Sequence, residues 1–287
     1  QKIMWLADDW WRREGVREGV DVHYCTGTHN LFSVEKYSKA LEQMQRARGV
    51  RVSYGHELVA IDGPRKTATF RVEDGSLVQL PYDMLHVTPH MGPPAFIRES
   101  PLSDEEKGYV DVDQWTLRHR RYPNVWALGD CSSLPTSKTA AAITAQAPVL
   151  VHNLLATMRG QPANAHYDGY TSCPLITKRG GVILAEFKYG GEVKETFPRI
   201  LDQGTESRLL YYLKTIVFPW AYCARRVRAA LWRDAVAPVC FVHVLSHPAR
   251  LGPASSAAGN LMLVGRWYGP RGIFEPSWAG IDTWQHP

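Results

Sequence analysis

Two rounds of helix–strand alternation followed by an antiparallel meander constrain this chain more than any other feature. Residues 1–14 carry the spacing of a helix that stops before Gly15, and Val20-Asp21-Val22-His23-Tyr24 alternates like a strand. Val34 to Arg48 sets Tyr37, Leu41, Met44 and Gln45 at helical spacing, with Ser33 as N-cap and Gly49 as stop. Val50 to Tyr54 then returns as a short strand. Glu57–Asp62 and Thr67–Val72, joined by a Gly63-Pro64 turn, and then Leu77–Leu80 read as a β-meander. Tyr82–Thr88 follows and leads into the proline loop His90-Met91-Gly92-Pro93-Pro94. This order is how the second half of a Rossmann-type nucleotide-binding unit is often finished. The Gly-rich phosphate loop GxGxxG that should precede it occurs nowhere in the chain, so either the fold is something else or that loop lies upstream of Gln1.

Composition narrows the class. With 45% hydrophobic and 21% charged residues over 287 positions, the chain is globular and long enough for one large or two ordinary domains. An excess of 33 basic over 28 acidic residues is too small and scattered to mark a nucleic-acid binder, while an anionic membrane surface or a small acidic ligand fits. Five cysteines, Cys25, Cys131, Cys173, Cys223 and Cys240, are odd in number and far apart, which argues against a disulfide framework or a metal site. The start Gln1-Lys2-Ile3-Met4 has no initiator methionine and no signal-peptide pattern, so the chain reads as cut from something longer.

The most informative stretch runs from Tyr122 to Gly160. Asn124-Val125-Trp126-Ala127-Leu128-Gly129-Asp130 reads as a buried strand ending in Gly-Asp, and Thr136 to Ala142 as the capped start of a helix. A carboxylate at a strand's end can accept hydrogen bonds from ribityl hydroxyls, and Gly129 admits a ligand close to the backbone. The free N–H groups and positive dipole of the following helix would face a flavin's pyrimidine edge. The same pattern also describes an ordinary turn with a solvated carboxylate, and the residues alone leave both readings open.

Three further stretches accompany this one in order. They are Met84-Leu85-His86-Val87-Thr88-Pro89, Tyr167-Asp168-Gly169-Tyr170-Thr171-Ser172-Cys173-Pro174-Leu175 and Ile183-Leu184-Ala185-Glu186-Phe187. Together with Leu117 to Val125, Leu128-Gly129-Asp130-Cys131 and Leu134 to Ala142, the chain resembles the animal-type mitochondrial sulfide:quinone oxidoreductases over roughly residues 1–220.

The resemblance implies an α/β flavoprotein with two dinucleotide-binding domains of glutathione-reductase-like Rossmann type, N-terminally truncated here, with a C-terminal membrane-associated segment. Residues 1–88 would be the remainder of the second dinucleotide-binding domain and 89–165 the closing part of the FAD-binding domain. Residues 166–235 would be a C-terminal domain with interfacial helices, and 236–287 a divergent tail outside the fold. Carried over, Asp130 would bind the ribityl chain of FAD, and Lys138, Thr139, Ala140 and Ala141 would line the flavin; no metal is implied.

Family enzymes use two cysteines bridged through sulfur beside the flavin. Sulfide opens the bridge, a sulfur atom leaves as a persulfide to a small thiol or sulfite acceptor, and the remaining thiolate attacks the flavin, whose electrons pass to ubiquinone. The Tyr-Thr-Ser-Cys-Pro segment makes Cys173 the C-terminal member of that pair. Its partner falls a few residues before Gln1 in the family pattern. Taken without the resemblance, Cys173 is equally a small buried thiol, and Cys25 and Cys131 read as non-catalytic.

Two departures accompany the match. Pro148 falls inside the helix that begins near Ser137 and is expected to break it, at a cost of about 3 kcal/mol if it does not. Residues 209–232 form an aromatic, apolar run followed by arginines, interrupted by Lys214 and Pro219 and so short of the ~20 apolar residues of a spanning helix. They read as a pair of interfacial helices, or as two core helices.

The implied activity is sulfide oxidation through FAD to ubiquinone, on the matrix-bounding inner membrane of mitochondria, by a peripheral membrane protein that binds no nucleic acid. The alternatives are an inactive membrane-associated fragment and a related NAD(P)H:quinone reductase, which would not need a cysteine at position 173.

Overall fold

A computed structural model of the chain describes residues 1–89 and 91–220, and the backbone of 261–267. Helix α1, Lys2–Arg13, places Arg12 and Arg13 in its last turn, where cations complement the helix dipole, and buries Met4, Trp5 and Asp8. The buried Asp8 carboxylate is held by Arg12 at 3.0 Å and Arg17 at 2.5 Å, with Arg48 at 3.7 Å. A carboxylate so far from water persists only when paired.

Strand β1, Val20–Thr26, is followed by helix α2, Glu35–Ala47, which presents Tyr37, Ser38 and Leu41 inward. Helix α2 starts from Val34 without a side-chain cap, so Ser33 does not fill the N-cap expected of it. Gly49 ends the helix region in the left-handed conformation at φ +60°. Strand β2, Arg51–Ser53, then pairs in parallel with β1.

The expected meander forms its own sheet of β3 (Glu57–Asp62), β4 (Thr67–Arg71) and β5 (Leu77–Pro81), in that order. Strand β6, Met84–Thr88, returns to the first sheet, and a short helix α3 covers Ala95–Arg98.

Two sequence expectations fail between Asn124 and Met158. Asn124–Asp130 is not a strand: it has a single bridge, Arg118 to Trp126, and ends in a 3-10 turn, Gly129–Cys131. Its donors are spent elsewhere: the Ala127 N–H goes to Leu117 O at 3.2 Å, and that of Gly129 to the Gln146 side chain at 2.8 Å. Helix α4, Ala140–Met158, runs through Pro148 without a break. Anchors on either side of the proline hold it: Gln146 grips Gly129, and Asn153 bonds the backbone of Thr116 and Ala165. These contacts offset the hydrogen bond that proline removes.

Strands β7 (Thr171–Lys178) and β8 (Gly181–Phe187) form an antiparallel hairpin, with Cys173 opposite Ala185. Every residue of β8 is buried. Its Ile183, Ala185 and Phe187 join Met4, Trp5, Val22, Tyr24, Tyr37 and Leu41 in the largest core, and Cys173 sits partly buried against it. Side chains of this size contribute about 1.5–3 kcal/mol each when fully buried.

Helix α5, Arg208–Tyr212, is capped by Ser207 and passes directly into a π-helical turn, Leu213–Val217. The rest of the 209–232 run, from residue 221, lies outside the described residues. Within the stretch read as a tail outside the fold, Leu261–Trp267 forms a strand, β9, antiparallel between β1 and β6. Strands β1 and β6 run parallel to one another, and an extended backbone between them satisfies both rows of donors and acceptors. The rest of 236–287 lies outside the described residues.

Candidate active site at the start of helix α4

The site begins with a turn. Asp113 Oδ1 accepts from the N–H groups of Trp115 and Thr116 and from the Thr116 hydroxyl, which lets buried Leu117 adopt φ +69°. His119, also buried, accepts at Nδ1 from the backbone N–H of Arg121 and of Tyr122, so Nε2 carries the proton it shares with Leu102 O at 3.0 Å. This neutral histidine shapes the Arg120-Arg121-Tyr122-Pro123 loop that delivers the chain to Gly129.

Gly129 stands at φ +70°, and a Cβ there would meet Ile143 at 3.1 Å. Its N–H donates to Gln146, and Ser132 Oγ donates to its carbonyl at 2.7 Å. Asp130 emerges exposed from this turn and makes no hydrogen bond or ion pair among the described residues.

Thr139 is the N-cap of α4: its Oγ1 accepts from the Ala142 N–H at 3.1 Å. The N–H groups of Ala140 and Ala141 keep no intrahelical partner, as the first turn of a helix requires. Gly129, Thr136, Ser137, Lys138, Thr139 and Gln146 border a shallow concavity at that helix end.

Lys138 also lines the concavity. Nζ donates to Ser132 O at 2.6 Å and lies 4.2 Å from the centre of the Tyr109 ring. Burial lowers its pKa, and the nearby Asp130 and Cys131 act in the opposite direction.

The second wall is the start of β7. Thr171 Oγ1 lies 2.8 Å from Thr139 Oγ1, and Thr136 Oγ1 donates to Gly169 O at 3.0 Å. Two residues on, Cys173 is half-buried. Burial pushes its thiol pKa up, whereas a hydrogen bond from Ser137 and the charge of Lys2 on α1 favour the thiolate. Of the residues expected at the site, Lys138 and Thr139 line the concavity, Asp130, Ala140 and Ala141 adjoin it in sequence, and Cys173 lies two residues beyond Thr171 on β7.

Three supporting side chains were missed: Gln146, Thr171 and Ser137. Gln146 is 17 residues from the glycine it holds, and no local pattern announces such a partner. Thr171 stood inside a motif chosen for its cysteine.

The other two described cysteines are free and differently placed. The Cys25 thiol is pushed up to about 12 by burial and lies 3.6 Å from His23 Nε2. Cys131 donates to Leu128 O at 3.3 Å, and burial raises its pKa. Cys223 and Cys240 lie outside the described residues.

The chain's own residues fit a flavin at this site. An unpaired carboxylate, two unpartnered N–H groups at a helix N-terminus and a glycine whose Cβ would crowd Ile143 match a polyol chain and an electron-rich ring edge.

Comparison with known proteins points the same way. Residues 17–149 match the pyridine nucleotide-disulphide oxidoreductase family. The chain is 50% identical over 238 residues to the mitochondrial sulfide:quinone oxidoreductase of Schizosaccharomyces pombe, covering 81% of this chain and 52% of that protein. It is 44% identical over 276 residues to the corresponding protein of Dictyostelium discoideum, covering 96% and 52%. The crystal structure of the sulfide:quinone oxidoreductase of Aquifex aeolicus superposes with a TM-score of 0.60 at 14% identity, over 87% of this chain and 63% of that one, which shows a shared fold. The chain spans about half the length of the curated relatives it matches.

Proposed function

From the premise that this chain is a relative of mitochondrial sulfide:quinone oxidoreductases over most of its length, we propose that the full-length protein oxidises sulfide and reduces ubiquinone. In net terms, hydrogen sulfide, a small thiol or sulfite acceptor and ubiquinone become a persulfide or its sulfite counterpart, thiosulfate, and ubiquinol. The observation that carries the reading is the position of Cys173. It is half-buried on a strand tied to the N-terminus of α4, where burial raises its thiol pKa and Ser137 and Lys2 act in the opposite direction.

Bound FAD would supply the two-electron relay between sulfur and quinone. Asp130 would accept hydrogen bonds from the ribityl hydroxyls. The N–H groups of Ala140 and Ala141, with the α4 dipole behind them, would favour negative charge at the ring's pyrimidine edge. Thr139 fixes that helix end by accepting the Ala142 N–H. Lys138 holds the Asp130–Ser132 turn in place by its bond to Ser132 O.

Cys173 would be the C-terminal member of a redox pair whose other cysteine precedes Gln1. Lys2, at the start of α1, acts electrostatically on Cys173, which supports an approach of the preceding residues to that thiol. The division into segments 1–88, 89–165 and 166–235 remains part of this proposal, with Leu261–Trp267 joined to the sheet of the first.

We also place the protein at the mitochondrial inner membrane as a peripheral protein. Leu209, Tyr212, Ile216 and Trp220 are exposed on and after α5, an apolar face suited to the acyl boundary. One helix among the described residues, α4, is long and apolar enough to cross a membrane by length and composition. Its buried Gln146 and Asn153, both committed to the protein backbone, fit a core helix better.

The test is sulfide-dependent reduction of a short-chain ubiquinone by the full-length protein, with its flavin absorbance recorded beside Cys173→Ser. Flavin binding with activity lost only in the variant is the expected result. Flavin binding with an unaffected variant would sink the sulfide reading and favour an NAD(P)H:quinone reductase.

A further inference from the structure

We propose that Thr171 is a positioning residue, whose hydroxyl fixes the offset between the Cys173 thiol and the N-terminus of α4. Thr171 is 0% exposed, so its hydroxyl must find partners inside the protein. It has two: Thr139 Oγ1 at 2.8 Å and the Ser137 carbonyl at 3.3 Å.

The direction of this chain of bonds follows from donor counting. Thr139 Oγ1 already accepts from the Ala142 N–H, so its own proton is free for Thr171. Thr171 then donates to Ser137 O. One ordered relay thus runs from the first turn of α4, through the N-cap, across to β7 and back to the loop that carries Ser137.

Geometry makes β7 a suitable lever. Residues two apart on a strand share a face, which puts Thr171 and Cys173 on the same side. Just before the strand, Gly169 stands at φ +87°, and a Cβ there would come within 2.3 Å of Tyr189, so the backbone packs closely at this turn. Thr136 donates to the Gly169 carbonyl on the same segment. The start of β7 is therefore held at Gly169 and at Thr171, and only the second hold touches the helix cap. Removing the Thr171 hydroxyl would free the Ser137–Thr139 loop to slide relative to the thiol.

The inference draws on the sulfide-oxidising reading only for its effect on turnover, so its test uses a readout that needs no sulfide. In full-length flavoprotein, the rate of Cys173 alkylation by iodoacetamide at fixed pH is followed by peptide mass, for Thr171→Val and Thr171→Ser. Thr171→Val keeps the shape and removes the hydroxyl; alkylation is expected to slow about fivefold, the effect of losing one hydrogen bond. Thr171→Ser, which restores the hydroxyl, is expected to return the rate to within about twofold of the parent. Should Thr171→Val fail to retain flavin, Thr171→Ala takes its place under the same expectation.

An unchanged rate in the hydroxyl-less variant overturns the proposal. So does a slowed rate that Thr171→Ser does not restore, because packing and not the hydroxyl would then be responsible. Sulfide-dependent ubiquinone reduction by the parent protein, measured separately, decides the functional reading whichever way the alkylation result falls.

Discussion

Cys25 and Cys173 both sit on strands that border the same core and burial raises the pKa of both thiols, so what separates them is their depth and the groups across from them. Cys25 is fully buried on β1 over Ala68 and Phe70, and burial pushes it up to about 12. Its polar neighbour, His23, is itself kept neutral, its pKa lowered to about 4 by burial and by Arg51. Cys173 is half-buried on β7, where burial still raises its thiol pKa but the Ser137 hydroxyl and the charge of Lys2 act against that rise. A strand supplies a fixed place; what lies across from that place decides whether the sulfur can react.

The widest separation between the two regions should appear in turnover. In full-length protein, Cys173→Ser is expected to lower sulfide-dependent ubiquinone reduction by at least about a thousandfold, as loss of a nucleophile does. Cys25→Ala should leave the rate per bound flavin unchanged. Equal losses in both variants would erase the contrast and return Cys173 to the role of a core thiol.

The β1 side should reveal itself instead in acid. His23 binds a proton near pH 6.5 when unfolded and only near pH 4 when folded, so the unfolded state holds more protons between those values. Stability is therefore present above pH 6.5 and is lost as pH falls toward 4, by at most on the order of 3 kcal/mol. Urea midpoints at pH 7 and pH 4.5 measure the loss, and His23→Gln should flatten that part of the profile. A variant with the same acid limb as the parent would show that the β1 histidine does not set it.

On the β7 side the corresponding charge is Asp130, which is free to meet a ligand. Asp130→Ala is expected to weaken flavin binding about tenfold to a hundredfold, the range for a hydrogen bond to a charged acceptor. Flavin titration of the variant checks this, and unaltered affinity would remove Asp130 from the site.

The sequence was legible where the signal is local. The period of α1 and α2, the alternation of β1 and the turn at Gly63-Pro64 all appear in short windows, and the structure places them within a few residues. Asn124–Asp130 misled because an apolar run ending in Gly-Asp reads as a strand, while strand status needs a ladder partner. Here the donors go to Leu117 and Gln146. Pro148 misled for a related reason: the cost of a helical proline is local, but the Gln146 and Asn153 anchors that offset it are not. Leu261–Trp267 carries no pairing partner nearby in sequence, and its place between β1 and β6 follows from edges more than 170 residues away. At the site, Cys173 and Asp130 were visible through motif and resemblance, whereas the Thr171 to Thr139 bond spans 32 residues and leaves no periodic trace.

The smallest expected effect gives the finest comparison, because it sets two threonines with similar bonds against one another. Thr139 Oγ1 accepts the Ala142 N–H at the start of α4, and Thr26 Oγ1 accepts the Thr28 N–H at the end of β1. Each also shares a proton with a second threonine, Thr171 at 2.8 Å and Thr28 at 2.9 Å. Removing either hydroxyl should cost stability by a similar amount, about 1 kcal/mol, since each strands one backbone donor. Their consequences for flavin should part. Thr139→Ala loosens the helix end that would face the ring and is expected to weaken flavin binding, while Thr26→Ala, at the end of β1, should leave it unchanged. Thermal denaturation and flavin titration on the same pair of variants separate the two effects. If both lose affinity in proportion to stability, the α4 N-terminus has no special part in holding the cofactor, and the contrast between the two strands reduces to burial alone.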